Sequence, residues 1–153
     1  MPTAARTPTG LDRQALEALL PHREPMFMLD EVMELEPGVR ARARKAVRSD
    51  EPWVAGHFPG DPVFPGVLLT EVFAQAAGVV ALTANPEHAG TSVYLVGLDR
   101  VRFRRPVRPG DVLDVEVETL DVRRGIWRFR ARATVSGERT AEAEVMATVA
   151  EGA

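Results

Sequence analysis

His57 and Glu71 stand fourteen residues apart, the first on a turn-rich loop and the second inside an almost wholly apolar segment. An imidazole can take a proton near neutral pH, and a positioned carboxyl group can deliver one. The stretch that holds both, residues 56–78, reads GHFPGDPVFPGVLLTEVFAQAAG. Pro59, Pro62 and Pro65 recur at every third position. Each fixes φ and lacks an amide hydrogen, so His57 belongs to a stiff loop rather than a helix. Pro65-Gly66 then opens a helix predicted over 67–84, since proline is tolerated in a first helical turn.

Apolar residues surround the axis of that helix instead of forming one stripe, which predicts burial. Glu71 and Gln75 are spaced i,i+4 and share a face. An ionised, unpaired carboxylate is costly there. Desolvation is therefore expected to raise the pKa of Glu71, which suits a general acid. A glutamate satisfied by a neighbouring amide or arginine would serve structure alone, and a lone histidine is more often structural or superficial. The residue types leave both alternatives open. Free amides at the helix start near Gly66, able to hold a developing oxyanion, add weight to the chemical reading. A membrane span is not expected, because the run falls short of ~18–20 residues and contains Glu71 and Gln75.

The elements that must position this pair follow from periodicity. Residues 11–20 place Leu11, Ala15, Leu16, Leu19 and Leu20 on one helical stripe ended by Pro21. Strands are predicted over 27–34, 39–47, 92–103, 112–120, 127–135 and 141–149, with 85–90 a loop. Most alternate apolar and charged residues, the signature of an antiparallel sheet with one buried face. The class is α+β. With 153 residues the expectation is one domain over 11–150, preceded by a disordered tail over 1–10 that has no secretory apolar core.

Other chemistry lacks its residues. There is no cysteine, which removes thiolate nucleophiles and disulfides and fits a cytoplasmic location. His22, His57 and His88 have no metal-ligand spacing, so no metal is expected. Ser49, Ser92 and Ser136 lack a nucleophile-elbow setting, and no glycine-rich phosphate loop occurs. A net charge of −3 argues against nucleic acid. Arginines nevertheless cluster. Arg100, Arg102 and Arg104 are expected on one strand face by alternation, with Arg105 and Arg108 exposed beyond its end.

The 56–78 segment resembles the signature of bacterial (3R)-3-hydroxyacyl-[acyl carrier protein] dehydratases of the FabZ type. The resemblance extends to Leu20-Pro21-His22-Arg23, to residues 98–107 with Pro109-Gly110-Asp111, to Arg123-Arg124-Gly125, and to Ala141-Glu142-Ala143-Glu144. Glu24, Phe64 and Leu95-Val96 depart from the family pattern, at positions that bear on the tunnel walls and so on acyl chain-length preference. The resemblance implies a hot-dog fold, an antiparallel sheet around one long apolar helix. It implies a cofactor-free lyase that dehydrates the hydroxyacyl thioester, with His57 and Glu71 catalytic, and Glu71 favours plain dehydration over isomerisation. Gly66, Gln75, Phe58, Phe64, Pro65 and Val67 would bind substrate, the Gly66 amide holding the thioester carbonyl and Gln75 orienting Glu71. Acyl carrier protein would dock at Arg105 and Arg108. The assembly implied is a homodimer with sites shared between protomers, built up as a trimer of dimers. The alternatives are the same dehydration in a polyene or polyketide pathway, or a non-catalytic acyl-binding subunit.

Overall fold

Short polar turns between alternating strands, and one apolar helix among them, set the architecture of the computed structural model, which describes residues 10–150. Residues 1–9 of the expected tail lie outside the described residues. Helix α1 spans Arg13–Leu19, strands β1 and β2 span Glu31–Glu36 and Arg40–Ala46, and helix α2 spans Gly66–Ala84. A short 3₁₀ turn over Pro86–His88 lies in the expected 85–90 loop and leads to β3, Val93–Phe103. Strands β4, Val112–Arg123, β5, Ile126–Val135, and β6, Glu138–Val149, follow. All pair antiparallel in one six-stranded sheet of order β1-β2-β4-β5-β6-β3. Strands β2 to β6 all touch α2. A sheet wrapped around one apolar helix is the hot-dog arrangement.

Small side chains allow that wrap. Ala41, Ala43, Ala131, Ala133, Ala141, Ala143 and Ala147 are buried on the inner face of the sheet. They let Phe73, Val72, Val79, Val80 and Leu82 of α2 approach closely enough for native packing density. The helix has 19 residues and a mean hydropathy of 1.7, long and apolar enough to cross a membrane. The length-based exclusion therefore does not hold, and the cover given by the sheet replaces it. Two other boundaries differ from expectation. Residues 27–29 are buried but precede β1, because the amide of Met28 bonds the side chain of Gln75 rather than a neighbouring strand. Helix α1 starts later, with Asp12 accepting from the Ala15 amide as its cap.

The outer face of the sheet is charged in columns. Glu31, Glu34 and Glu36 of β1 oppose Arg44, Arg42 and Arg40 of β2. Those arginines in turn oppose Asp114, Glu116 and Glu118 of β4. Glu116 and Glu118 then face Arg132 and Arg130 of β5, which face Glu142 and Glu144 of β6. At the centre Arg42 grips Asp114 through two nitrogens, at 2.9 Å from Nε and 2.6 Å from Nη2. The Asp114 carboxylate, by hydrogen bond and charge, holds the Arg42 pKa well above its ordinary value. Arg42→Glu would set like charges across both neighbouring strands. An expected loss of about 1 kcal/mol, as for like charges opposed on a half-exposed face, should appear as a lower urea midpoint at unchanged slope and shrink in high salt.

Candidate active site

Backbone hydrogen bonds fix the loop that carries His57. Its amide donates to the Trp53 carbonyl at 3.1 Å, and its carbonyl accepts from the Val63 amide at 2.7 Å. The ring Nδ1 lies 2.7 Å from the Val63 carbonyl. A carbonyl only accepts, so Nδ1 carries the hydrogen and Nε2 presents a lone pair. The ring stacks on Phe58, centroids 4.0 Å apart. Behind the loop, Trp53 packs edge-on against Phe64 at 5.3 Å, and the nearly buried pair Lys45–Glu51 closes at 2.9 Å. Glu51 also accepts the Arg48 amide, so one carboxylate ties β2 to the start of the loop that carries His57.

A pocket of about 370 Å³ opens in front of His57, lined by Val63, Phe64, Gly66, Leu69, Phe103 and the segment Arg104–Val107. The α2 start faces it. Pro65 gives no side-chain cap, and the amides of Gly66 and Val67 find no acceptor among the described residues. Gly66 is a glycine for space: a Cβ there would come within 2.9 Å of the Phe103 ring. A second hollow, about 580 Å³, lies on the outer sheet face between β1, β2, β4 and β5. Its carboxylates and guanidinium groups are committed to one another.

Glu71 looks elsewhere. From Gly66 it is about 140° around the helix axis, and from the pocket-lining Leu69 about 200°. Its Oε1 accepts from Gln75 Nε2 at 2.9 Å and lies 3.4 Å from His22 Nε2. Gln75 is fully buried and also donates to the Met26 carbonyl at 2.6 Å while accepting from the Met28 amide at 2.8 Å. Burial is the largest influence on the Glu71 carboxyl and pushes its pKa up. Hydrogen bonds from His22 and Gln75, with the attraction of His22, outweigh burial and hold the group below the ordinary carboxylate range. This corrects the expected upward shift: the segment 56–78 shows the burial of Glu71 and the Gln75 beside it, but not His22, which adds its pull from outside the segment.

Within one chain, then, His57, Phe64, Gly66 and Arg105 share a pocket, and Glu71 and Gln75 lie apart from it. Phe58 and Val67 are exposed beside the α2 start, and Pro65 is buried beneath it. Arg105 and Arg108 are exposed, but Arg105 pairs with Glu138 and Arg108 with Asp61 at 2.5 Å. The expected common face of Arg100, Arg102 and Arg104 is broken by a bulge between Asp99 and Arg102, with Arg100 at φ +52°. Of the three departures, Phe64 lines the His57 pocket, Leu95 is exposed on β3, and Glu24 pairs with Arg13 away from both. Phe103 and His22 were not singled out for the site by residue type. Phe103 sits at the strand end that turns toward the pocket. His22 stands in a proline-flanked segment that must pass close to a buried helix.

A model of the FabA-like domain family matches residues 20–144. A 3-hydroxyacyl-[acyl-carrier-protein] dehydratase FabZ from Chloroflexus aggregans is 50% identical, over 91% of this chain and 96% of that protein. The protein of the same name from Geotalea uraniireducens is 46% identical, over 94% of this chain and 99% of its own length. Among solved structures, the dehydratase heterocomplex ApeI:P from Xenorhabdus doucetiae superposes with a TM-score of 0.77 over 89% of this chain and 91% of that one, at 22% identity. That last likeness concerns the fold alone. The chain belongs to the FabA-like family and, within it, to the 3-hydroxyacyl-[acyl-carrier-protein] dehydratases of the FabZ type.

Proposed function

We propose that this protein dehydrates (3R)-3-hydroxyacyl thioesters on acyl carrier protein to trans-2-enoyl thioesters in fatty-acid elongation, through His57 and Glu71. The observation that carries the mechanism is that His57, its Nδ1 engaged by the Val63 carbonyl so that the neutral ring leaves Nε2 as the basic nitrogen, lines a pocket beside two free helix-start amides. His57 takes the C2 proton. The electron pair left on C2 spreads onto the thioester carbonyl, which the Gly66 amide and the positive end of α2 stabilise. The C2–C3 double bond forms as the C3–O bond breaks, and the departing hydroxide takes a proton, directly or through water, from the protonated form of the Glu71 carboxyl, which solvent must load because His22 and Gln75 hold the group low. One water leaves, and a net proton has passed from Glu71 to His57, to be returned through solvent. Only protons move, so no cofactor is required.

Because the two groups face different sides of one chain, the proposed unit is a homodimer in which His57 of one protomer meets Glu71 of the other. Strand β3 is an open sheet edge of 11 residues with exposed Tyr94, Leu95 and Val96, a template for pairing with a second copy. Phe58, Val67 and Phe103 are exposed around the α2 start nearby. The proposal extends to one domain over 11–150, a trimer of such dimers, and a cytoplasmic location.

Carrier docking is assigned to Arg105, which lines the pocket, and to Arg108 three residues beyond it. Their partners Glu138 and Asp61 are exposed, and such pairs exchange with modest loss. The test measures enoyl thioester formation from a carrier-bound substrate and from a short pantetheine thioester. Turnover of both by the parent is expected. Arg105→Glu with Arg108→Glu should raise KM for the carrier-bound substrate, more at low salt than at high salt, and leave the short substrate little changed. Equal losses on both would indicate damage to the fold, and no enoyl product from either would refute the function.

A further inference from the structure

We propose that His22 is a positioning residue for the dehydration, holding Glu71 Oε1 together with Gln75 so that Oε2 alone is presented to the departing hydroxyl. Three observations lead there. First, both donors converge on one oxygen: Gln75 Nε2 at 2.9 Å and His22 Nε2 at 3.4 Å from Oε1. No partner for Oε2 occurs among the described residues. A carboxylate pinned at one oxygen cannot swing, and its second oxygen keeps one direction. Second, His22 has nothing else to do. Its Nδ1 is buried with no hydrogen-bond partner among the described residues, so Glu71 is the one group its ring engages. A histidine kept for structure is ordinarily satisfied at both buried nitrogens, since an unmade bond there is costly. Third, its backbone is braced. Arg23 Nη1 donates to the Leu20 carbonyl at 2.9 Å and to the His22 carbonyl at 2.6 Å, locking Leu20-Pro21-His22-Arg23 beside α2.

A carboxylate only accepts, so the form of His22 that can bond Glu71 carries a hydrogen on Nε2. The groups that act on Glu71 are His22 from the 20–28 segment and Gln75 from α2 itself, with the guanidinium of Arg23 turned to carbonyls instead. In the proposed dimer, His57 of a second copy faces the free Oε2. At 3.4 Å the His22 contact is longer than a charge-assisted hydrogen bond, ~2.7–2.9 Å, and has room to tighten as Glu71 gives up its proton and becomes fully charged. The donor thus stabilises the form of the acid that exists after the hydroxyl has left.

His22 matters in this way only if Glu71 is the acid, as proposed above. Two variants separate the two claims. His22→Ala should lower kcat about tenfold, the worth of one hydrogen bond, with KM near the parent value. It should also move upward the limb of the kcat/KM–pH profile that reports the ionisation of Glu71. That limb reports the free enzyme, and removing a donor leaves the effect of burial on Glu71 less opposed. His22→Gln offers an amide hydrogen near the lost Nε2 and should recover most of kcat. It is also the variant to follow if His22→Ala does not fold. Parent-like kcat with the Glu71 limb unmoved in folded His22→Ala overturns the proposal, as does a His22→Gln enzyme no better than His22→Ala. Near-parent turnover in Glu71→Gln would overturn the acid assignment and this proposal with it.

Discussion

His57→Ala and Glu71→Gln are each expected to lower the rate of dehydration by roughly 10²-fold or more, the range for losing a positioned acid or base. For His57 the expectation rests on the tautomer. The Val63 carbonyl takes the Nδ1 hydrogen, and the remaining nitrogen can only act as an acceptor for a proton. Alanine removes that nitrogen along with the Nδ1 bond to Val63 and the stack on Phe58. The loop is held by main-chain bonds from Trp53 and Val63 that an alanine keeps. For Glu71, glutamine is the sharper test than alanine. Its amide oxygen can still accept from Gln75 Nε2, and the buried links from Gln75 to Met26 and Met28 remain. Only the ionisable proton is lost. The check is turnover of a 3-hydroxyacyl thioester by purified variants whose far-ultraviolet spectra and unfolding midpoints match the parent. A folded variant with near-parent turnover loses its assigned role.

Mixing those two inactive chains should restore activity. If each site joins His57 of one protomer to Glu71 of the other, a hybrid dimer carries one site with both lesions and one with neither. Random exchange makes half the dimers hybrid, each with one of two sites intact, so recovery should approach a quarter of parent activity per chain, rising from near zero. The angular separation of the Glu71 and Leu69 side chains around α2 motivates the experiment, together with the open β3 edge. Exchange is verified first, by mass, between tagged and untagged chains. Verified exchange with no recovery would mean that each chain builds its own site.

Much of this architecture was legible in residue order. Period-two alternation marked β2, β4, β5 and β6, because one face of each must be apolar and the other charged. The proline spacing at 59, 62 and 65 marked the loop, and the all-round apolar run marked α2. What remained hidden depends on groups distant in sequence. The strand count did not say that β3 runs at the far edge, beside β6 rather than β2. The bulge at Arg100 overrode alternation where it was expected to place three arginines together. The Glu71 carboxyl sits lower than its burial implied because His22 and Gln75 supply donors, and His22 is 49 residues away (71 − 22). The shift of β1 away from 27–29 has a similar source, since Gln75 takes the Met28 amide from 47 residues off.

The charged columns on the outer face act as an address for each strand. The outward charges of β2 at Arg40, Arg42 and Arg44 are basic, those of β4 at Asp114, Glu116 and Glu118 acidic, those of β5 at Arg128, Arg130 and Arg132 basic again, and those of β6 at Glu142 and Glu144 acidic. Sliding one strand past the next by two residues exchanges one Arg–Glu neighbour for another, so charge does little to choose register. It chooses neighbours. A β2–β5 pairing would set arginine against arginine, and β4–β6 carboxylate against carboxylate, each unfavourable wherever the charged rungs meet. The β2–β4 pairing most needs such guidance, because α2 and β3 intervene between its strands and loop closure is slow for distant partners. The inner face, built largely of alanine and valine, offers nearly interchangeable surfaces and discriminates poorly. The order of the strands is thus written on the side of the sheet that never touches the core, where a collapsing chain still surrounded by water can sort its partners before the apolar side commits.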